Sequence, residues 1–205
     1  MALAVLSAAT GRVCTGFSYP LVAKYSCPSG TITYAEGKEL ARGVSVELAI
    51  ETAAADPFYA NNIEAEKEQE KFQSGTATLT VDGLLAAAEK LIYGLPEESG
   101  AWLAYDDDQS IPYVGIGYIA EYASGDVTSY VPYVLVKTRF QQSGRSHATR
   151  EGNRNYQTQA LTATIERGDD AKHTWLEEGS EFSTEAAALA ALKTKLNISD
   201  PATTT

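Results

Sequence analysis

The residues that come nearest to chemistry by type and spacing are Glu64, Glu66, Glu68 and Glu70, carboxylates at every second position. Paired carboxylates can divide acid and base roles in glycoside cleavage, but they must be fixed on a rigid scaffold beside an aromatic-lined cleft. Acids alternating along a connecting segment read instead as a solvated face. Ser143, Ser146 and His147 are close in sequence, yet a nucleophile needs a base held by a third group, and there is no Gly-x-Ser-x-Gly elbow. Gly115 and Gly117 lack the third glycine and following helix of a dinucleotide loop, which leaves a bulge or a close strand approach. Asp106, Asp107 and Asp108 lack the spacing, central glycine and closing glutamate of a calcium loop and mark a solvated turn. Cys14 and Cys27 are remote in sequence from His147 and His173, so no metal-ligand spacing arises. In a reducing cytoplasm both stay thiols; an oxidising compartment would let them pair. The expectation is no catalytic, cofactor-binding or metal-binding residues, and no enzyme.

What the chain carries instead is segregated charge. Between Glu51 and Glu70 six acids (Glu51, Asp56, Glu64, Glu66, Glu68, Glu70) stand against one base, Lys67. Between Lys137 and Arg154 five bases (Lys137, Arg139, Arg145, Arg150, Arg154) stand against one acid, Glu151. Two oppositely charged loops on one protein point to one copy binding the next. The net charge of -11 opposes a DNA-binding role, because counterion release from DNA requires clustered Lys and Arg.

The elements that must position these loops are mostly strands. At 205 residues the chain is long enough to bury about 70% of its unfolded surface, and its 44% hydrophobic content is that of a globular protein. Residues 1–9 form the longest apolar stretch, short of the ~20 needed to span a bilayer, and no Lys or Arg precedes it as in a secretory signal. Synthesis in the cytoplasm is expected. Residues 1–29 read as an N-terminal arm or edge strand, 30–198 as the main domain, and 199–205 as a flexible tail. Residues 31–34 and 42–51 read as two strands around a turn at Glu36-Gly37-Lys38. In the second, Val44, Val46, Leu48 and Ile50 share one face, and Ser45, Glu47, Ala49 and Glu51 the other. The acidic loop leads into residues 76–81, where Thr76, Thr78 and Thr80 oppose Ala77, Leu79 and Val81, so the loop closes an oversized hairpin. Asp82 is placed to cap a helix over 82–93 that Gly94 can end. Residues 113–122 and 127–140 form a hairpin around Ser124-Gly125-Asp126. Residues 156–165 are a strand with Thr158, Thr162 and Thr164 on one face, and 171–176 supply the last. Ser183 or Thr184 caps a short helix lined by Leu189, Leu192 and Leu196.

These residues also carry a resemblance. Gly30-Thr31-Ile32-Thr33-Tyr34, Gly37-Lys38-Glu39-Leu40-Ala41-Arg42-Gly43-Val44-Ser45, Phe58-Tyr59-Ala60-Asn61-Asn62 and the acidic run resemble the major tail proteins, or tail tube proteins, of long-tailed, siphovirus-type bacteriophages. The order continues with residues 75–82 before an Ala/Leu helix, 112–118, and a late helix over 185–195. The resemblance spans residues 30–196. It implies a mainly β (α+β) protein, an antiparallel β-sandwich or barrel of the tail tube type with one flanking helix and a short C-terminal helix. It further implies a structural virion protein, made in the host cytoplasm, that stacks as hexameric rings into a hollow tube for DNA delivery. Its partners would be itself, the tape measure, tail terminator and tail tip proteins, and DNA passing without specific binding. A ring requires two different patches per copy. The expected contacts are Asp56, Phe58, Tyr59, Glu64, Glu66, Glu68, Glu70 and Phe72 against Arg145, Arg150 and Arg154. The expected lumen-facing set is Ser45, Glu47, Glu51, Thr76, Thr78 and Thr80, whose carboxylates and hydroxyls would keep phosphates from sticking. Two alternatives share the strand-rich pattern: the tube protein of a contractile injection or secretion system, and a monomeric β-sandwich adhesin or carbohydrate-binding module. An adhesin should present an aromatic platform, whereas Trp102 and Trp175 are far apart in sequence.

Overall fold

A computed structural model describes residues 11–54, 57–67, 69–96, 103–107, 109–145, 147–149 and 157–199, with backbone alone for 57–60 and 63–67. The fold is mainly β: one antiparallel sheet of eight strands and two short helices. Its strands are β1 (Val13–Ser26), β2 (Thr33–Glu39), β3 (Gly43–Ala53), β6 (Lys71–Val81), β7 (Val114–Ser124), β8 (Val127–Phe140), β9 (Gln159–Glu166) and β10 (Leu176–Glu178). A separate two-stranded hairpin, β4 (Pro57–Ala60) and β5 (Ile63–Lys67), interrupts the chain between β3 and β6. The spatial order is β2-β1-β7-β8-β9-β6-β3, with β10 beside β8. Helices α1 (Ala86–Tyr93) and α2 (Glu185–Lys195) complete the fold.

The sheet has a core on each face, and the strand sequences say where. Along the first seven residues of β7 and most of β8 nearly every residue is buried, as continuous apolar runs require when both faces are covered. One face packs Val22, Leu79, Ile116, Leu135, Leu161 and Ile165 with Ala88 and Ile92 of α1. The other packs Leu21, Tyr34, Ile119 and Val134 with Leu192 and Leu196 of α2. Gly117 lets α2 approach, since a Cβ there would stand 2.6 Å from Leu196. Of the bulge or close strand approach expected at these glycines, a register shift does fall at Gly115, while Gly117 makes room for leucine side chains rather than for a strand. By contrast β6 and β9 alternate strictly, so only one of their faces is buried. The start of β3 returns to β1, where Gly43 lies against the Phe17 ring and the Leu40 N–H donates to the Pro20 carbonyl at 2.9 Å. The sheet thus curls around the first core, but β3 and β2 do not pair and it does not close.

Several expectations are corrected. The segment read as an arm or edge strand holds β1, whose residues 21–24 lie between β2 and β7. A register shift between Ser18 and Leu21, with Tyr19 at φ 49°, breaks its alternation and hides the strand from pattern reading. Strands β2 and β3 are not hairpin partners. Glu36, at φ 55°, lies within β2, and the two strands end on opposite borders of the sheet. Asp82 does not cap α1, which starts after Leu85; its carboxylate instead accepts the Arg42 N–H at 3.0 Å and pairs with Arg42 Nε at 3.1 Å. Gly94 does end α1, at φ 62°. Residues 171–175 are turn and irregular, and β10 begins at Leu176. On β3 only Val46 and Leu48 reach the core; Val44 is 53% exposed and Ile50 39%. Thr184 caps α2, accepting from Ala187 N, as expected. Cys14 and Cys27 are free thiols.

Candidate assembly surfaces

The uncovered half of the sheet's second face is a polar array spanning β3, β6, β9 and the end of β8. Register sets its rows: Ser45, Thr80 and Ala160; Glu47, Thr78 and Thr162; Ala49, Thr76, Thr164 and Arg139. Opposed residues of antiparallel strands share a face, so these side chains form one surface opposite Ala77, Leu79 and Val81. Ser74 Oγ donates to Glu51 Oε2 at 2.9 Å and extends the array toward the hairpin. The whole expected lumen set lies on this face: Ser45, Glu47 and Glu51 exposed, and Thr76, Thr78 and Thr80 half-buried among their neighbours. Arg139 was not foreseen there. The strand expected over 127–140 holds it, and the β8–β9 register sets it opposite Thr164 on this face.

The acidic segment is itself a β-hairpin. Asn61 and Asn62, at φ 52° and 62°, make a two-residue turn of the left-handed kind that Asn tolerates. Phe58 opposes Glu66 and Tyr59 opposes Glu64, with a register shift between them. The side chains of these four lie outside the described residues, as do Asp56 and Glu68. The base of the hairpin is anchored to the body. Thr52 Oγ1 donates to Glu70 at 2.8 Å, the Phe72 ring stacks on Trp175 at 4.5 Å, and Arg167 Nε donates to the Phe72 carbonyl at 2.8 Å. Phe72, expected as a partner contact, packs here on Trp175 of the same chain.

The expected basic contacts divide similarly. Arg145 pairs with Glu89, an acid only 8% exposed, while the Tyr105 hydroxyl donates to the same carboxylate at 2.7 Å. Burial and that carboxylate push the Tyr105 hydroxyl up to about 12. Arg150 and Arg154 lie outside the described residues. Lys137 is nearly buried and pairs with Asp169 at 2.9 Å and Glu166 at 3.7 Å. Burial opposes its charge, but the hydrogen bond and the two carboxylates outweigh that and raise its pKa. A cleft of about 660 Å³ beside α1 is lined by Asp82, Glu89, Arg145, His147 and Gln159. His147 is exposed there, and the Ser143 hydroxyl is shared with Tyr93 at 3.1 Å. Ser146 lies outside the described residues.

The two borders of the sheet differ. Against β2, Asn197 Nδ2 donates to the Tyr34 carbonyl at 3.1 Å and Ile198 seats on Gly37. β3 has β6 as its one strand neighbour among the described residues, and its other edge carries the exposed Val44 and Ile50. No protein-family model, curated protein or solved structure matches the chain. Among the described residues the fold and surfaces define a β protein with one large antiparallel sheet, a polar face on it, a separate hairpin and an open edge at β3.

Proposed function

We propose that this chain is the subunit of a phage tail tube, a non-enzymatic virion protein that assembles as stacked hexameric rings around a channel for DNA. The observation that carries the reading is the polar array across β3, β6 and β9, a face with short hydroxyls and carboxylates that neither helix covers. A channel wall for a polyanion needs such a face: wet, short-chained and without a cationic stripe. In this reading the curled sheet is the tail-tube type of sandwich or barrel unit, completed by its neighbours in the ring. The open edge of β3 and the anchored hairpin supply contacts to the next copy. Exposed ion pairs contribute only about 0–1 kcal/mol each, so apolar contact at Val44, Ile50 and the hairpin must supply most of the affinity.

The tube of a contractile system would share this wall. An adhesin is disfavoured because Trp175 is stacked against Phe72 rather than displayed. The test is negative-stain microscopy with sedimentation velocity, on the intact chain and on a variant with residues 55–68 replaced by a two-residue turn. Among the described residues β4 and β5 pair with each other and with no strand of the large sheet, so the body should keep its circular dichroism. The intact chain should form hollow rings or tubes and the variant should not. A chain that stays monomeric at high concentration overturns the tube reading, and a variant that still forms tubes overturns the role of the hairpin.

A further inference from the structure

We infer that Arg139 is a contact point for a phosphodiester oxygen on the polar face, the one place where that face holds rather than repels a nucleic-acid backbone. The inference deepens the tube reading and rests on it for the source of the phosphate. Arg139 is exposed, and its guanidinium lies over the Tyr113 ring at 4.0 Å. A guanidinium over a ring face does not spend its N–H donors on the ring, and such a fork can grip a phosphate with two parallel hydrogen bonds. Donors flank it: Thr164 stands opposite in the register, and Gln141 Nε2 reaches the Thr164 hydroxyl at 3.3 Å.

The nearby carboxylates are already engaged. Asp169 and Glu166 both pair with Lys137, and Asp169 Oδ2 also accepts from the Tyr25 hydroxyl at 3.2 Å. Arg139 makes no ion pair among the described residues. Of the acids on the same face, Glu166 stands beside Arg139 but is paired with Lys137, while Glu47 and Glu51 lie on β3, three strands away. At about 4.8 Å per strand that is about 14 Å, beyond the ~8 Å screening length at physiological salt. They therefore bar a phosphate from β3 without neutralising Arg139. A face with acids at one border and one oriented guanidinium at the other would hold a passing backbone off centre by a single weak, exchangeable contact per subunit.

The test is a titration of the unassembled full chain, followed by amide and guanidinium resonances, with a short DNA duplex and, separately, inorganic phosphate at matched ionic strength. The duplex should shift the Arg139 Nε–H, Gln141 and Thr164 signals, with phosphate weaker per mole of phosphate. R139Q should lose these shifts and weaken binding about three- to tenfold, lowering the salt slope by about 1. R139K should recover only part, since an ammonium cannot fork. Equal response to phosphate and duplex overturns the assignment to a polymer backbone. Unchanged shifts in R139Q, or none in the wild type, overturn the site. None of these readouts requires tubes, so failure of assembly is seen separately by microscopy.

Discussion

The double substitution Val44→Lys with Ile50→Lys separates two accounts of β3. Strict alternation puts both residues on the core face, where an unpaired ammonium at either position would cost several kcal/mol and lower Tm by 10 °C or more. The structure leaves Val44 53% and Ile50 39% exposed, because β3 is the last strand of the sheet and pairs with β6 alone among the described residues. Long lysine stems can lie along that surface with their charge in water, so the change in folding free energy should stay within about 1 kcal/mol. That is a Tm shift of a few degrees for a chain of this length. Assembly should respond more strongly. Burying a whole Val or Ile side chain is favourable by about 1.5–3 kcal/mol, so the exposed fractions leave roughly 1 kcal/mol per residue for a neighbouring copy. Losing both raises the assembly concentration by about thirtyfold. Calorimetry reads the first quantity and sedimentation velocity the second. A Tm drop of 10 °C would refute the exposed placement. Assembly at the wild-type concentration would refute β3 as a contact.

Two further expectations follow from charge. Lys137→Met should destabilise at neutral pH, because it leaves Asp169 and Glu166 without their cation. The folded pKa of Lys137 is raised, so the stability it contributes is complete below the unfolded value of 10.5 and fades as pH rises through the folded one. The difference between wild type and variant in urea titrations should therefore be flat from pH 7 to 9 and shrink above about pH 10.5; a gap that widens with alkali would refute the pairing. Burial raises Tyr34 too, which lowers both chains' stability in alkali alike and cancels in the difference, and Tyr25, which shares Asp169 with Lys137, is replaced by Phe in both chains. Glu47→Gln with Glu51→Gln should add a sedimenting dimer absent from the wild type, and an unchanged monomer–polymer profile would count against the carboxylates as edge guards.

The alternating strands were legible because one physical rule, a side-chain period of two against a single core, decides them. Thr76, Thr78 and Thr80 face away from Ala77, Leu79 and Val81 as read, and the β7–β8 hairpin forms around Gly125 at φ 62°. Elements whose geometry depends on distant partners were not legible. The bulge at Tyr19 is needed because β1 passes from pairing with β7 alone to pairing with β2 as well. The N-terminal turn of α1 is set by backbone contacts of residues 82–85 with 40–42, where the Leu85 N–H donates to the Leu40 carbonyl, so a good capping residue at Asp82 had other employment. The polar face was half legible. Its acids and threonines follow from alternation, whereas Arg139 joins them only through the β8–β9 register, which no local pattern encodes.

An open edge such as that of β3 invites pairing with its own copy about a twofold axis, which would end in a dimer. Two β3 strands meeting antiparallel about such an axis would set Glu47 and Glu51 of one copy close to those of the other on the same face. Like charges directly opposed on adjacent strands are destabilising. The neutral residues on the core-facing side, Val44 and Ile50, carry no such penalty against a different, apolar surface. The edge is thus chemically biased against itself and toward a non-identical patch. The covering of β2 by Asn197 and Ile198 means that this patch is not simply the opposite edge of the sheet. A contact between unlike surfaces repeats head to tail until it closes into a ring or extends without limit, and it needs a second element to fix the rotation between copies. In the proposed ring that element would be the hairpin, which is anchored at its base by Phe72 on Trp175 and by Arg167.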